Sequence, residues 1–452
     1  MKTPEKPPSW PSELRTFVKT NDLPKMLQDS ELSGIIKESQ RKYLYWEELR
    51  HRYPNPSHPH KSIWAIIKLF RVQQYKSIVI GGRVFNYFLT ESAQEKLRYA
   101  DSHAGQIIGS ESPRDKFQGG ERKRYLINSL MEEAIASSQL EGAMTTRKVA
   151  KEMLRTKREP RSKNELMIYN NYQTIKYIKD LFETSNAGDS KLTSSLILSL
   201  HKLITKGTLK NPRAEGKFRG TDDIIVRDDA NEVEYVPPPH NQVPTLVNDL
   251  CDFVNAPALP FIHPLIKAII LHFLVGYIHP FEDGNGRAAR ALFYWFCLKS
   301  GYWPFEFMPI SRIIKKAPAK YARAFLFTEY DDLDMNYFIE FNLDAIKQAI
   351  VELGAYLKKK QKEKNEALQL MTKLAKDLNL RQSLILKDLV EEPEKALSIK
   401  ETSAKYNVTY QTARTDLLEL SKKGYLGLHK KRKQFVFYKS DKFDEKIRTD
   451  KN

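Results

Sequence analysis

The most apolar run of this 452-residue chain is followed without a break by a short group of charged and polar side chains. The run is LIKAIILHFLVGYI, Leu265 to Ile278, and the sequence after it is HPFEDGNGRAAR, His279 to Arg290. The run is shorter than a membrane span and contains Lys267 and His272, so we expect a buried helix. A second helical pattern begins within NGRAARALFYWF. The polar sequence between the two helices is costly to fold unless a ligand fills it, which makes it the first candidate for a functional site.

The composition limits the class of protein. With 452 residues and 41% hydrophobic content, the chain is long enough for two or three domains with buried cores. A net charge of +18 favours nucleic acid or another polyanion as a partner, although many soluble proteins are modestly basic. Two cysteines, Cys251 and Cys297, are too few for a disulfide framework or a cysteine metal site, and their scarcity fits a reducing compartment. The polar, proline-rich start lacks the apolar centre of a signal peptide, so we expect a cytoplasmic protein without membrane association.

Helical spacing of apolar residues dominates the chain and predicts an all-α, mainly helical core. One helix is predicted from Phe85 to Ile107, and another from Lys123 to Gly142, where a glycine ends the pattern. The exception is IIVRDDANEVEYVPPP, Ile224 to Pro239, in which two short β-type runs flank a DDAN turn. This pattern predicts a β-hairpin closed by prolines.

The last part of the chain has a different pattern. After a strongly charged linker helix predicted over residues 356–377, residues 378–445 fit helix, turn, helix and hairpin. Ser398 and Glu401 have the spacing of a capping box, and Thr409 can cap the second helix. The hairpin YLGLHKKRKQFVFY has a basic tip, KKRK. The segment resembles a winged helix-turn-helix domain, which implies either DNA binding through the second helix and the tip, or protein contacts alone.

The polar sequence after the apolar helix contains the parts of a phosphate site. The DGNG turn leads into a new helix whose first backbone N–H groups and dipole favour an anion. Arg287 and Arg290 share one face near that helix start. Asp283 offers a hard oxygen that could hold Mg²⁺ against phosphates, and His279 could accept a proton from an attacking hydroxyl near neutral pH. Each part alone has a structural explanation, but together they indicate nucleotidyl or phosphoryl transfer. The sequence has no GxxxxGK[ST] string, which disfavours a Walker-type NTPase.

HPFEDGNGRAAR resembles the signature of the Fic family, H-P-F-x-[D/E]-G-N-G-R-x-x-R, at every defined position. Most members of that family transfer AMP from ATP to a hydroxyl of a target protein, on an all-helical core with one β-hairpin. The resemblance extends over residues 85–345 and implies a Fic domain, which we bound at residues 85–355, after an N-terminal helical region of residues 1–84. It implies ATP and Mg²⁺ as cofactors, and a target protein with a Ser, Thr or Tyr hydroxyl as the partner.

The resemblance also assigns roles to individual positions. His279 resembles the general base, Asp283 the Mg²⁺ ligand, and Phe281 a residue that anchors the loop in the core. The positions that resemble the phosphate-binding turn and the clamps on the β- and γ-phosphates are Gly284, Asn285, Gly286, Arg287 and Arg290. Gly286 favours AMP transfer over phosphate transfer, because family members that act as kinases carry a lysine there. The hairpin near residues 216–239 resembles the family's flap, which aligns the target by strand pairing.

The sequence SSQLEG resembles the family's inhibitory motif, [S/T]-x-x-x-E-[G/N], with Ser137, Glu141 and Gly142 in register. It lies ahead of the catalytic sequence, as in the class with an N-terminal inhibitory helix. The resemblance implies that Glu141 pairs with Arg290, through two hydrogen bonds if the geometry allows, and so blocks the γ-phosphate position. The alternative is a capping box formed by Ser138 and Glu141.

Several alternatives stay open at the level of sequence. The same site could transfer another nucleotide or a phosphate, or remove AMP, and the chain could instead be a DNA-binding regulator that senses nucleotide without turnover. The sequence specifies neither the target nor the oligomeric state, and a homodimer is one option. Tyr321 and Asn336 are candidates for the adenine pocket.

Overall fold

Helices form most of the protein, as the apolar spacing predicts. In this computed structural model the described residues are 3–20, 28–106, 120–184, 190–224, 226–227, 233–257, 260–374, 378–391, 395–431, 434–443 and 445. The chain divides into two compact units, Met1–Gly109 with Ile127–Ile350, and Ser110–Leu126 with Val351–Asn452. None of the helices in the described ranges combines the length and the apolar character that a bilayer crossing requires.

The first unit contains the following helices and strands, of which α6 and α15 continue into the second unit. They are α1 (Trp10–Thr20), α2 (Ser30–Lys42), α3 (Trp46–Arg52), α4 (His60–Val72), β1 (Lys76–Ile80), β2 (Arg83–Tyr87), α5 (Glu91–Gln106), α6 (Gly120–Leu140), α7 (Arg147–Thr156), α8 (Lys163–Thr184), α9 (Ser194–Thr205), β3 (Val226–Arg227), β4 (Val233–Tyr235), α10 (Val243–Asn255), α11 (Pro264–Ile278), α12 (Asn285–Lys299), α13 (Ile310–Ile314), α14 (Pro318–Tyr330) and α15 (Asn336–Leu374). Short 3-10 turns lie at Pro212–Ala214, His240–Gln242 and Trp303–Phe307.

Helices α11 and α12 pack against each other more extensively than any other helix pair in the described residues. The residues of α11 from Leu265 to Ile278 are buried, apart from the partly buried Gly276. Helix α12 is buried on nearly all sides as well. Because a helix that is apolar all round belongs in a core, this pair forms the centre of the first unit. The buried helix predicted from the apolar run is confirmed, and the turn that joins the two helices lies inside the unit.

A β-hairpin replaces the first part of one predicted helix. The helix predicted from Phe85 begins only at Glu91, because β2 pairs antiparallel with β1. The turn between these strands is Gly81–Gly82, and both glycines have positive φ, 57° and 73°. Two runs with β-branched residues around a Gly-Gly pair indicate a hairpin. The prediction missed it because the helical spacing of the later residues was extended back to Phe85.

The hairpin predicted over Ile224–Pro239 is present as β3 and β4. The two strands pair antiparallel, with Val226 opposite Tyr235. The DDAN turn of the prediction lies outside the described residues.

A buried polar cluster joins the N-terminal helices to the later part of the first unit. Lys68 of α4 is fully buried, and its Nζ lies 2.9 Å from Asp331 Oδ1 and 3.7 Å from Asp334 Oδ2. The Tyr43 hydroxyl donates to Asp334 Oδ2 at 2.6 Å. Residues 1–84 thus lie in the same compact unit as the residues that follow them. The predicted domain boundaries themselves stay a prediction.

In the second unit, α16 (Leu380–Glu391), α17 (Ile399–Lys405) and α18 (Tyr410–Lys422) pack with β5 (Leu397–Ser398), β6 (Leu426–Lys431) and β7 (Gln434–Lys439). The strands form an antiparallel sheet in the order β5–β7–β6. Its core includes Ala413, Leu417 and Leu420 on one side of α18, together with Phe437 of β7.

Two predicted helix caps are confirmed in this unit. Ser398 Oγ accepts the Glu401 N–H at 3.2 Å, and Thr409 Oγ1 accepts the Thr412 N–H at 3.2 Å. The charged helix predicted over residues 356–377 is the continuation of α15, which ends at Leu374. The last two residues of the predicted KKRK tip lie outside the described residues.

Removal of the Lys68 ammonium should destabilise the first unit strongly. In Lys68→Ala, the carboxylates of Asp331 and Asp334 stay buried without their nearest cation, which lowers the free energy of unfolding by about 3–5 kcal/mol. Urea unfolding followed by tryptophan fluorescence measures this loss, because all 5 tryptophans lie in the first unit. Lys61→Ala, at an exposed position of the same helix, is the control and should change the value by less than about 0.5 kcal/mol. Equal values for the two variants would contradict the role of the cluster.

Candidate active site

The turn between α11 and α12 is fixed by its own buried polar groups. His279 ends α11 in the left-handed conformation, with φ 49° and ψ 58°, which is uncommon for a residue other than glycine. Asn285 closes the turn, because its Oδ1 accepts the Phe281 N–H at 2.9 Å and its Nδ2 donates to the Phe281 carbonyl at 2.8 Å. The resemblance predicts Asn285 as part of the phosphate-binding turn. Its amide group is used to hold the shape of that turn.

Two glycines lie in close contacts here. Gly284 has φ 86°, and a Cβ at this position would lie 2.9 Å from Thr205 Cγ2. At Gly286, a Cβ would lie only 2.2 Å from Glu141 Oε1. The Glu141 carboxylate therefore rests against the first turn of α12, where the helix dipole and the first backbone N–H groups favour an anion.

His279 has the protonation state that a general base needs. Its Nδ1–H donates to the Gly276 carbonyl at 3.3 Å, a tautomer assigned from this contact, so Nε2 keeps its lone pair. Burial of the ring lowers the pKa of His279 below its ordinary value, and the Glu141 carboxylate only partly opposes that effect. The imidazole is therefore neutral at physiological pH.

Arg290 is buried, and Ser137 and Glu141 of the SSQLEG sequence are among its partners. Its Nε donates to Ser137 Oγ at 2.9 Å, and its Nη2 donates to the Ser137 carbonyl at 2.9 Å. The same Nη2 donates to Glu141 Oε1 at 3.1 Å. The predicted pair of Glu141 and Arg290 is thus present through one carboxylate oxygen rather than two. Ser137 provides two further contacts, and the Glu141 side chain keeps 24% of its surface exposed.

The competing capping box of Ser138 and Glu141 is not formed. Ser138 lies inside α6, which ends at Leu140, and its hydroxyl donates to the Met167 carbonyl at 3.3 Å. Gly142 follows with φ 85°, a conformation that glycine adopts freely at helix ends. Glu141 is therefore the first residue beyond the helix, directed at α12.

Asp283 and Arg287 form one arrangement at the edge of the site. Arg287 is fully buried, and its Nη2 donates to Asp283 Oδ1 at 3.3 Å while its Nη1 donates to the Ile204 carbonyl at 3.4 Å. The prediction of Arg287 as a phosphate clamp differs from this geometry, in which the guanidinium braces Asp283. The Asp283 side chain is 52% exposed.

The residues at this edge fit a magnesium ion held jointly with a substrate. Mg²⁺ is usually bound by one or two carboxylates together with phosphates and water, and Asp283 supplies one accessible carboxylate. Among the described residues, no cluster of three or more His, Cys, Asp or Glu side chains could hold a metal without such a substrate.

His201 lies against the turn between α11 and α12, although no local sequence pattern indicated it. Its ring stacks on Phe281 with the centroids 3.6 Å apart. Its Nε2–H donates to the Asp283 carbonyl at 2.9 Å, and its Nδ1 accepts the Gly216 N–H at 3.1 Å. Burial lowers the pKa of His201 to about 4, so the ring stays neutral while it supports the turn between α11 and α12. Arg219 is a second unpredicted residue, with Nε donating to the His279 carbonyl at 2.9 Å.

The two adenine-pocket candidates lie in different places. The Tyr321 hydroxyl is 2.8 Å from His272 Nε2 and lies beside Arg290, close to the site. Asn336 is engaged elsewhere, because its amide exchanges two hydrogen bonds of 3.0 Å with the backbone of Phe88. These bonds fasten the segment after β2 to the start of α15, and the assignment of Asn336 to an adenine pocket stays a prediction.

The neutral His201 makes stability depend on pH. Between its unfolded pKa of 6.5 and its folded pKa of about 4, only the unfolded chain binds a proton at this ring. The free energy of unfolding therefore falls as the pH decreases through that window. The wild type should lose about 2 kcal/mol more than His201→Phe between pH 7 and pH 5, measured by urea unfolding with tryptophan fluorescence. Parallel losses in the two proteins would contradict this assignment.

Comparison with known proteins bears on the same part of the chain. The Fic/DOC family model matches residues 191–297. The protein adenylyltransferase Fic of Nematostella vectensis is 26% identical over 188 residues, which cover 40% of this chain and 40% of the relative. The protein adenylyltransferase Fic of Drosophila willistoni is 30% identical over 114 residues, 25% of this chain and 21% of the relative. The matched region thus spans less than half the length of these relatives.

Solved structures share the fold. A Fic family protein from Desulfovibrio desulfuricans G20 superposes with a TM-score of 0.50 at 19% identity, over 76% of this chain and 96% of the other. A variant fragment of Fic-1 from C. elegans gives a TM-score of 0.50 at 16% identity, over 72% and 84% of the two chains. At these identities the likeness concerns the fold alone. The family match itself shows a Fic domain at residues 191–297 of this chain.

Proposed function

We propose that the protein is an adenylyltransferase that transfers AMP from ATP to a hydroxyl group of a target protein. The observation that carries this proposal is the neutral His279 ring, which ends α11 beside the anion-favouring start of α12. The relatives named protein adenylyltransferase support the choice of AMP as the transferred group.

The triphosphate of ATP would bind at the N-terminus of α12. The first backbone N–H groups of a helix are unsatisfied and point at such a ligand. Arg290 would add a charge-assisted contact to a phosphate, and Ser137 already orients its guanidinium through two hydrogen bonds. Asp283, braced by Arg287, would hold Mg²⁺ against the phosphates, where the ion would neutralise part of their charge.

His279 would act on the attacking group. The hydroxyl oxygen of the target forms a bond to the α-phosphorus, and its proton passes to Nε2 of His279. The bond between the α-phosphorus and the bridging oxygen breaks, so pyrophosphate leaves with that electron pair. Because Nδ1–H is bonded to the Gly276 carbonyl, the ring presents Nε2 and not Nδ1 to the hydroxyl.

We further propose that Glu141 holds this site inactive. Its carboxylate lies against Gly286 and accepts a hydrogen bond from Arg290. It therefore fills the position where a phosphate would bind and engages the arginine that would contact that phosphate. ATP would then bind only in a pose unsuited to in-line attack. The same carboxylate could position water for the removal of AMP from a modified target, which is the alternative activity of the site.

Glu141→Gly should raise the rate of AMP attachment by about 10- to 100-fold, because it removes a charge-assisted hydrogen bond that competes with phosphate. The measurement is incubation of the chain with a cell lysate and ATP labelled at the α-phosphate, followed by mass spectrometry of the labelled proteins. Glu159→Gly, an exposed loop glutamate, is the matched control and should behave as the wild type.

A second substitution, made in the Glu141→Gly variant, tests whether His279 is the general base. His279→Ala combined with Glu141→Gly should lower labelling by about 10²–10⁴-fold relative to Glu141→Gly alone. Undiminished labelling would contradict the role of His279, and equal labelling of wild type and Glu141→Gly would contradict the inhibition. If proteins are labelled by ATP that carries its label at the γ-phosphate, and not by ATP labelled at the α-phosphate, the site transfers phosphate rather than AMP.

We also propose that the second unit is a winged helix that binds DNA. Ala413, Leu417 and Leu420 bury one side of α18, while Gln411 and Thr415 on its other side are exposed. From Ser421 to Ser440 the sequence has no acidic residue. An exposed polar helix beside a basic hairpin is the arrangement in which a helix binds in a DNA groove and contacts base edges.

The DNA proposal predicts a salt-dependent affinity. Binding to a fluorescent duplex should weaken as salt rises, since phosphate contacts release counterions, and Arg414→Ala in α18 should weaken it by about 1–3 kcal/mol. Fluorescence anisotropy at two salt concentrations measures both effects, and Lys400→Ala, an exposed residue of α17, is the control. No binding at low salt would limit this unit to protein contacts, whereas an affinity that ATP alone shifts would favour the nucleotide-sensing regulator.

A further inference from the structure

Arg219 is buried at the point where the chain leaves Gly216 and begins the hairpin, with only 3% of its surface exposed. We use the term flap for residues 220–239, which contain β3 and β4. We propose that Arg219 is a positioning residue that couples the flap to His279, so that the platform for the target and the catalytic base keep one fixed geometry. The coupling rests on the proposed function, because it matters only if a target docks on the flap.

The guanidinium of Arg219 joins three segments of the chain. Its Nε donates to the His279 carbonyl at 2.9 Å. Its Nη1 donates to the Thr221 carbonyl and to Asp222 Oδ1, both at 3.0 Å, and its Nη2 donates to the Pro238 carbonyl. A planar fork of five N–H donors can serve acceptors in several directions at once, which a lysine cannot do. One side chain thus holds both ends of the flap and the end of α11.

Backbone and strand contacts reinforce the same junction. The backbone N–H of Arg219 donates to the Pro280 carbonyl at 2.9 Å. From the second strand of the flap, the Tyr235 hydroxyl donates to the Tyr277 carbonyl at 2.8 Å. Arg219 and the flap are therefore attached to the carbonyls of Tyr277, His279 and Pro280, and a shift of either part would displace the other.

The conformation of His279 explains why this attachment matters. A non-glycine residue at φ 49° is strained and persists only where its surroundings fix it. The His279 N–H is bonded to the Val275 carbonyl at 3.1 Å, and the Arg219 contact fixes its carbonyl side. Without Arg219, the backbone could relax and carry the imidazole away from its catalytic position.

Hydrogen–deuterium exchange tests the coupling without relying on catalysis. Arg219→Gln should speed exchange roughly tenfold in peptides that cover residues 219–224 and residues 277–284, because one lost side chain frees both segments. Arg219→Lys should have a similar effect, and it carries the test if the Gln variant does not fold. Arg213→Gln, an exposed arginine just ahead of the flap, is the matched control and should leave both peptides unchanged. Faster exchange in residues 219–224 alone would overturn the coupling.

Kinetics in the Glu141→Gly background then separate positioning from general stability. With ATP labelled at the α-phosphate and lysate proteins as acceptors, both Arg219 variants should lower the rate at saturating ATP by about 10- to 100-fold while the half-saturating ATP concentration stays the same. Burial is the largest effect on the pKa of His279 and lowers it. The positive charge of Arg219 lowers this pKa further, whereas the negative charge of Asp283 raises it. The acid limb of the rate profile should therefore lie at higher pH in Arg219→Gln than in Arg219→Lys.

The outcomes of the two proposals are distinguishable. If the Glu141→Gly parent attaches no AMP, the proposed function fails, while the exchange experiment still decides whether Arg219 links the two segments. If the parent is active and Arg219→Gln matches its rate and its acid limb, the coupling fails by itself.

Discussion

The packing of α11 against α12 is the constraint on which the rest of the first unit depends. Both helices are buried on nearly all sides, so the turn between them must satisfy its polar groups inside the protein. Asn285 bonds to the backbone of Phe281, and His201 supports the Asp283 carbonyl while it stacks on Phe281. These contacts make the turn rigid before any ligand binds. A rigid turn beside the start of a helix is a preorganised environment that favours an anion.

The burial of Arg290 gives the segment with Ser137 and Glu141 a structural role. A guanidinium removed from water needs hydrogen-bond acceptors and a compensating anion. Ser137 provides two acceptors, and the Glu141 carboxylate provides the negative charge. The carboxylate thus supplies the negative charge that the buried guanidinium requires. This explains how a folded protein can keep a strongly charged site in its core.

Several buried side chains connect segments that lie far apart in the sequence. Arg219 connects the flap to His279, and His201 connects α9 and Gly216 to the turn between α11 and α12. The N-terminal helices are tied to Asp334 by Lys68 and Tyr43 in the same manner. In each case a buried polar side chain joins separate segments of the chain through hydrogen bonds or ion pairs. Such side chains fix the relative positions of elements that apolar packing alone would leave adjustable.

The sequence by itself determined the central helix pair, the glycine turn between them, the hairpin at β3 and β4, and the helix caps at Ser398 and Thr409. These features depend on spacing within a few residues, which local sequence encodes. The family resemblance added the link between Glu141 and Arg290. Only the tertiary structure decided that residues 83–87 form a strand, that Arg287 braces Asp283, and that Asn336 bonds to Phe88. It alone revealed His201 and Arg219, because the identity of a buried polar residue does not specify which distant acceptor the fold will bring to it.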